Sequence, residues 1–149
     1  MARAADRHLR TQNSIMALLK HLSLTQRVAC GLAAVLYAGA GILHFAKPAP
    51  YLRIMPPYIP WPVLAVRLSG VLEIVGGLGL LLPNTRRAAA WALIALLIAV
   101  FPANIYMATH PTAAGAATIP AVWLWARLPV QPLLMFWLYW CTKPSLIFR

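Results

Sequence analysis

Residues Pro62 to Leu82 read PVLAVRLSGVLEIVGGLGLLL, apolar over a length that crosses a bilayer yet carrying Glu73 near the middle. About 20 apolar residues in a helix span the hydrocarbon core. An ionised carboxylate at the bilayer centre costs about 2.5–3.5 kcal/mol even on a lenient insertion scale, so such a residue marks a candidate functional site. Glu73 is one of only two acidic residues in the chain, the other being Asp6. At helical spacing its neighbours are Ser69 and Gly70 on one side and Gly76 and Gly77 on the other, all small. Small residues let a second helix approach closely. Gly70, Gly76 and Gly77 are therefore read as packing positions, with the carboxyl directed into a bundle and away from lipid.

Composition agrees with that setting. Of 149 residues 62% are hydrophobic and 10% charged, with a mean hydropathy of +0.73, outside the range of soluble globular chains. A net charge of +11 in a soluble protein points to nucleic acid. Here the positive residues flank apolar spans, where they set topology, and no nucleic-acid partner is expected.

Outward from the central stretch, three more spans are predicted. The four run over about 28–45, 62–82, 88–109 and 120–141, giving an all-α membrane protein, a four-helix transmembrane bundle of up-down topology within residues 28–142. Residues 1–27 form a basic tail in which Ile15, Met16, Leu18, Leu19 and Leu22 recur at the spacing of an interfacial amphipathic helix. Residues 143–149 form a second tail. Between the first two spans AKPAPYLRIMPPYIPW, Ala46 to Trp61, is too rich in proline to cross the membrane and reads as a loop against the outer surface, over the mouth of the bundle. Pro102 removes a hydrogen bond within the third span and frees the carbonyl of Ile98, whereas Pro129 and Pro132 suggest a break or a helix start in the fourth.

Arg3, Arg7, Arg10, Lys20, Arg27, Arg86, Arg87, Lys143 and Arg149 fall on one side of this topology, against Lys47, Arg53, Arg67 and Arg127 on the other. The excess places both termini in the cytoplasm. The second side then collects the polar residues: His44, Arg67, Asn104, Arg127 and Gln131 fall toward the outer half, with Glu73 deeper. Arg67 and Glu73 are six positions apart, too far around the helix to pair, so Glu73 needs a partner from another helix, His44 or Arg127. These six residues are the candidate polar pocket. Cys30 and Cys141 make no C-x-x-C motif and have no ligands at metal spacing, so neither dithiol nor metal chemistry is expected of this chain alone. His44 and His110 do not lie mid-span, as bis-histidine haem ligation would require, so haem is not expected either.

Taken together, GAGILHF (39–45), IMPPYIPWP (54–62), SGVLEIVGGLGLLLP (69–83), TRRAAAW (85–91), FPANIYMA (101–108) and WARLPVQPLLMFWLYW (125–140) resemble the DoxX family of small bacterial integral membrane proteins, related to the MauE group. The resemblance implies a multi-pass inner-membrane protein of four helices, with His44, Glu73 and Asn104 as motif members and no established catalytic role for any of them. Family members are associated with redox systems, thiosulfate:quinone oxidoreductase among them. That implies a subunit that is not an enzyme by itself, with quinone as the candidate cofactor and a membrane or periplasmic redox protein as the candidate partner. Two other classes compete: a proton-coupled carrier of a small solute using Glu73, and a membrane assembly chaperone.

Overall fold

The computed structural model describes residues 22–143. Most of the basic tail, including its expected amphipathic helix, and the tail after residue 143 lie outside that range. Five helices follow in order: α1 Leu24–Ala46, α2 Pro48–Arg53, α3 Pro62–Leu81, α4 Arg86–Thr109 and α5 Ala121–Thr142. Four of them are long and apolar enough to cross a membrane, and the described residues contain no strand. The protein is thus an all-α, four-helix, multi-pass bundle. Much of each span faces outward: Val35, Ile98 and Leu133 are 74%, 61% and 65% exposed, as side chains that meet acyl chains must be.

Local chemistry sets the helix ends. α1 starts at Leu24, four residues before the predicted span, because Ser23 and Gln26 form a reciprocal capping box. The α3–α4 turn is closed by its own side chains. Arg86 Nε donates to the Leu80 carbonyl at 2.8 Å and Thr85 Oγ1 to the Gly79 carbonyl at 2.9 Å. These donors satisfy carbonyls at the end of α3 and place a positive charge at its negative dipole end. The Ala46–Trp61 loop contains a six-residue helix, α2, which its prolines had obscured; Pro48 occupies the first turn, where a missing N–H costs nothing. α5 runs unbroken through Pro129 and Pro132. In lipid a helix is the only spanning form open to a single segment, and neighbours tolerate the lost hydrogen bonds.

The four long helices form a ring in chain order, with α1 packed most extensively on α3 and least on α5. The α1–α3 contact is backbone to backbone. A Cβ added at Gly41 would lie 2.6 Å from the Gly70 carbonyl oxygen, and one at Gly77 would lie 2.9 Å from the Ala34 carbonyl oxygen and from the Ala38 nitrogen. Gly76 points the other way, onto Leu93 of α4. The three predicted packing glycines thus serve two interfaces. Ala33, Ala34, Tyr37, Leu80, Ala90, Leu93 and Leu138 fill the centre of one half of the bundle. At the other end Ala114 and Ala116 of the 110–120 loop pack with Met107 and Leu124.

Substitution at the glycines separates packing from helix propensity. Gly77→Ala should destabilise the bundle by about 1–3 kcal/mol, the usual cost of overpacking, because its methyl meets backbone that cannot yield. Gly39→Ala, with nothing within 4 Å, should be neutral or stabilising by up to about 1 kcal/mol. Thermal unfolding in detergent, read by circular dichroism, checks the pair; equal shifts for both would mean that α1 and α3 do not meet in this way.

Candidate functional site

Because α1 and α3 meet at glycines, side chains next to those glycines face each other at short range. Gly70 and Glu73 occupy one face of α3, and the α1 residue opposite is His44, whose Cβ would lie 2.8 Å from a Cβ at position 70. His44 Nδ1 and Glu73 Oε2 are 3.1 Å apart, with the side chains 10% and 18% exposed. Of the two partners expected for the carboxyl, the structure supplies His44. The same Nδ1 lies 2.9 Å from the Ala40 carbonyl oxygen, which can only accept, so Nδ1 carries a proton. That N–H points along its own helix to Ala40. Glu73 Oε2, though at ion-pair distance, is left buried without a directed hydrogen bond, and Tyr37 Oη on the same face of α1 is likewise buried and unpartnered. A buried carboxyl oxygen with no directed donor can accept from a ligand that supplies one. Ser69 does not help, since its hydroxyl donates to Ala65 within α3.

The His44 ring also stacks on Tyr51 of α2, with centroids 3.8 Å apart. Burial and the nearby Glu73 carboxylate push the Tyr51 phenol up from its ordinary pKa, against an opposing pull from Arg127. His44 also lines a cleft of about 500 Å³ with Phe45, Pro48, Leu52, Val63, Val66 and Arg67, apolar except for the imidazole and the guanidinium. Arg67 borders this cleft and a neighbouring hollow lined by Trp61, Pro62, Val63 and Leu64. Trp61 caps α3 with φ +51, a left-handed conformation that is costly for a bulky residue and that here sits beside the cleft.

The other predicted polar residues form a second centre. Asn104 Nδ2 donates to Gln131 Oε1 at 2.8 Å, and Gln131 Nε2 donates to the Leu97 carbonyl. Gln131, 2% exposed, therefore bridges α5 to α4 on both sides of Pro102. The carbonyl that receives an outside donor is Leu97, one position before the Ile98 predicted from the proline. Arg127 does not reach Glu73; its Nη1 lies 3.9 Å from Met107 Sδ. His110 stacks on Tyr106 and lies 2.8 Å from Thr109 Oγ1, so it does not pair with His44. The six candidate residues thus divide into a His44–Glu73 pair, an Asn104–Gln131 amide bridge, and two arginines lining separate cavities.

A third cluster was hidden from the sequence. Cys30 and Cys141, both buried and free, pack together with Leu22 at the end of the bundle opposite His44. The Cys30 thiol donates to the Cys141 carbonyl at 3.0 Å. Beside them Gln26 Nε2 donates to the carbonyls of Trp140 and Lys143. A search by local spacing cannot find partners 111 residues apart. Among the described residues no group of three metal-ligating side chains occurs.

These features define a multi-pass α-helical membrane protein with a buried histidine–carboxylate pair opening on a lipid-flank cleft. The chain belongs to the family described as a domain of unknown function, DUF8561, whose model matches residues 32–142 and so covers most of α1 and all that follows through α5. No curated protein and no solved structure matches it.

The amide bridge makes a quantitative prediction. Gln131→Leu removes the partner of Asn104 and of the Leu97 carbonyl, and should cost roughly 1–2 kcal/mol, in the upper range for interhelical hydrogen bonds in membranes. Asn104→Leu alone should cost less, because Gln131 keeps its bond to Leu97. Unfolding in mixed micelles measures both; a Gln131→Leu protein as stable as the parent would mean that the bridge carries no energy.

Proposed function

We propose that this protein is a quinone-associated subunit of a membrane redox system, not an enzyme by itself, seated in the bacterial inner membrane with both termini in the cytoplasm. The observation that carries the proposal is the buried His44–Glu73 pair at the edge of an apolar cleft. A quinone headgroup is flat and uncharged and offers two carbonyl acceptors, and its tail needs an apolar path from lipid. Phe45, Leu52, Val63 and Val66 suit the ring and tail, the Arg67 guanidinium can donate to a carbonyl, and Nε2 of His44 can donate to one when the ring is doubly protonated. A bound quinone would supply two-electron, two-proton redox chemistry. The chain's own contribution is to exclude water, orient the ring, and hold or release a proton at Glu73. The resemblance to DoxX proteins supports the same reading, and the asymmetry of Lys and Arg across the spans supports the orientation. A membrane or periplasmic redox protein is the corresponding partner.

The test uses protein in nanodiscs titrated with a short-chain quinone and followed by tryptophan fluorescence, with Trp61 as the nearest reporter. Saturable quenching is expected. His44→Ala should weaken it about tenfold, the value of one good hydrogen bond near 1.4 kcal/mol. Glu73→Gln, which keeps the size of the side chain beside His44, should still bind. Quenching that does not saturate, or that is unchanged by His44→Ala with Arg67→Ala, defeats the proposal. Glu73-dependent solute flux in liposomes without quinone binding would assign the protein to the proton-coupled carriers instead.

A further inference from the structure

A second cavity, of about 430 Å³, opens at the His44 end between the α1–α2 junction, the 111–119 loop and α5. Lys47, Arg53 and Arg127 line it together with Tyr51, and no acidic residue does. The one acidic side chain among the described residues, Glu73, lies beside His44, so none of the three cations has a carboxylate partner there. The fold nevertheless places two of them. Arg53 lies across Gly115, where an added Cβ would be 3.0 Å from Arg53 Cδ and 3.5 Å from Nη1. Gly115 also has φ +64, a conformation that L side chains rarely adopt. Position 115 is thus shaped to let the arginine lie flat. Arg127 rests on Met107, with Nη1 3.9 Å from the sulfur. Like charges gathered around one cavity repel, and an anion entering it recovers that cost. Guanidinium groups match the oxygens of phosphates and carboxylates in a two-pronged geometry.

We propose that this cavity is an oxyanion site of phosphate type. Its ligand is either the phosphodiester of an anionic phospholipid headgroup or a free oxyanion arriving from the water. The site is separate from the lipid-flank cleft: the two cavities share no lining residue, and the His44–Tyr51 stack contributes one ring to each. The proposal therefore stands without the quinone reading.

Simple attraction of basic side chains to an anionic surface depends on charge alone, whereas a built site depends on where Arg53 lies. Gly115→Ala tests the difference because it preserves every charge and puts a methyl where the Arg53 side chain rests. Protein in nanodiscs of phosphatidylcholine with phosphatidylglycerol is released into native mass spectrometry and the retained lipids are compared. In parallel, protein in pure phosphatidylcholine nanodiscs is titrated with inorganic phosphate and followed by tryptophan fluorescence. Wild type should retain phosphatidylglycerol selectively, which assigns the lipid source, or bind phosphate saturably, which assigns the free one. In either arm Arg53→Gln, Arg127→Gln and Gly115→Ala should each reduce binding about fivefold, in line with one basic contact to an anionic group. Arg87→Gln, at the opposite end of the bundle, should leave it unchanged. The proposal is overturned if neither ligand is selected, if Arg87→Gln is as damaging as Arg53→Gln, or if a folded Gly115→Ala protein binds normally. Should Gly115→Ala not fold, Arg53→Gln against Arg87→Gln decides.

Discussion

The rest of the bundle depends on the approach of α1 to α3 at Gly41, Gly70 and Gly77. Inside a bilayer apolar side chains gain little by leaving lipid, so helices associate through close packing and hydrogen bonds. With glycine on both sides at the Gly41–Gly70 crossing, and alanines facing Gly77, the two backbones come into direct contact. That proximity lets a short carboxylate side chain on α3 reach an imidazole on α1. Were the helices held apart by larger residues, Glu73 would have to face lipid or lie protonated in a void, at the cost that makes mid-membrane acids rare. The pair is thus a product of packing as much as of chemistry.

The α4–α5 half is built by a different rule. Pro102 sits inside α4, and an amide from α5 donates to the Leu97 carbonyl just over one turn before it. Gln131 is well suited because its two ends are a donor and an acceptor, serving the Leu97 carbonyl and Asn104 together. α5 tolerates two prolines of its own in the turns around this residue. One half of the bundle is therefore held by a dry glycine contact, and the other by a polar bridge across an interrupted helix.

The architecture was largely legible from the sequence, because long apolar runs bounded by arginines and prolines admit few alternatives. Glu73 stood out for an energetic reason, and the choice of His44 or Arg127 as its partner was narrowed by topology. What stayed hidden depended on contacts across the chain. The Cys30–Cys141 cluster and the Asn104–Gln131 bridge join residues that no local spacing relates, and the seating of Arg53 on Gly115 requires the fold of a loop. The proline-rich loop was read only as unable to cross the membrane, and a short helix, α2, forms within it; Pro129 and Pro132, which suggested a break or a helix start, lie inside a continuous α5. In both places the surroundings decided, a first-turn position in α2 and the lipid environment in α5.

Gln26 and Cys30, near the start of the first span, hold backbone carbonyls at the very end of the last. During synthesis α1 emerges long before α5 exists, so these groups must wait while most of the chain is threaded into the bilayer. α1 can settle on α3 as soon as that helix arrives, and α4 can follow, but the circle stays open until the final helix is released. The ring of helices therefore closes only once α5 is in place, and α1 supplies the groups that fasten it.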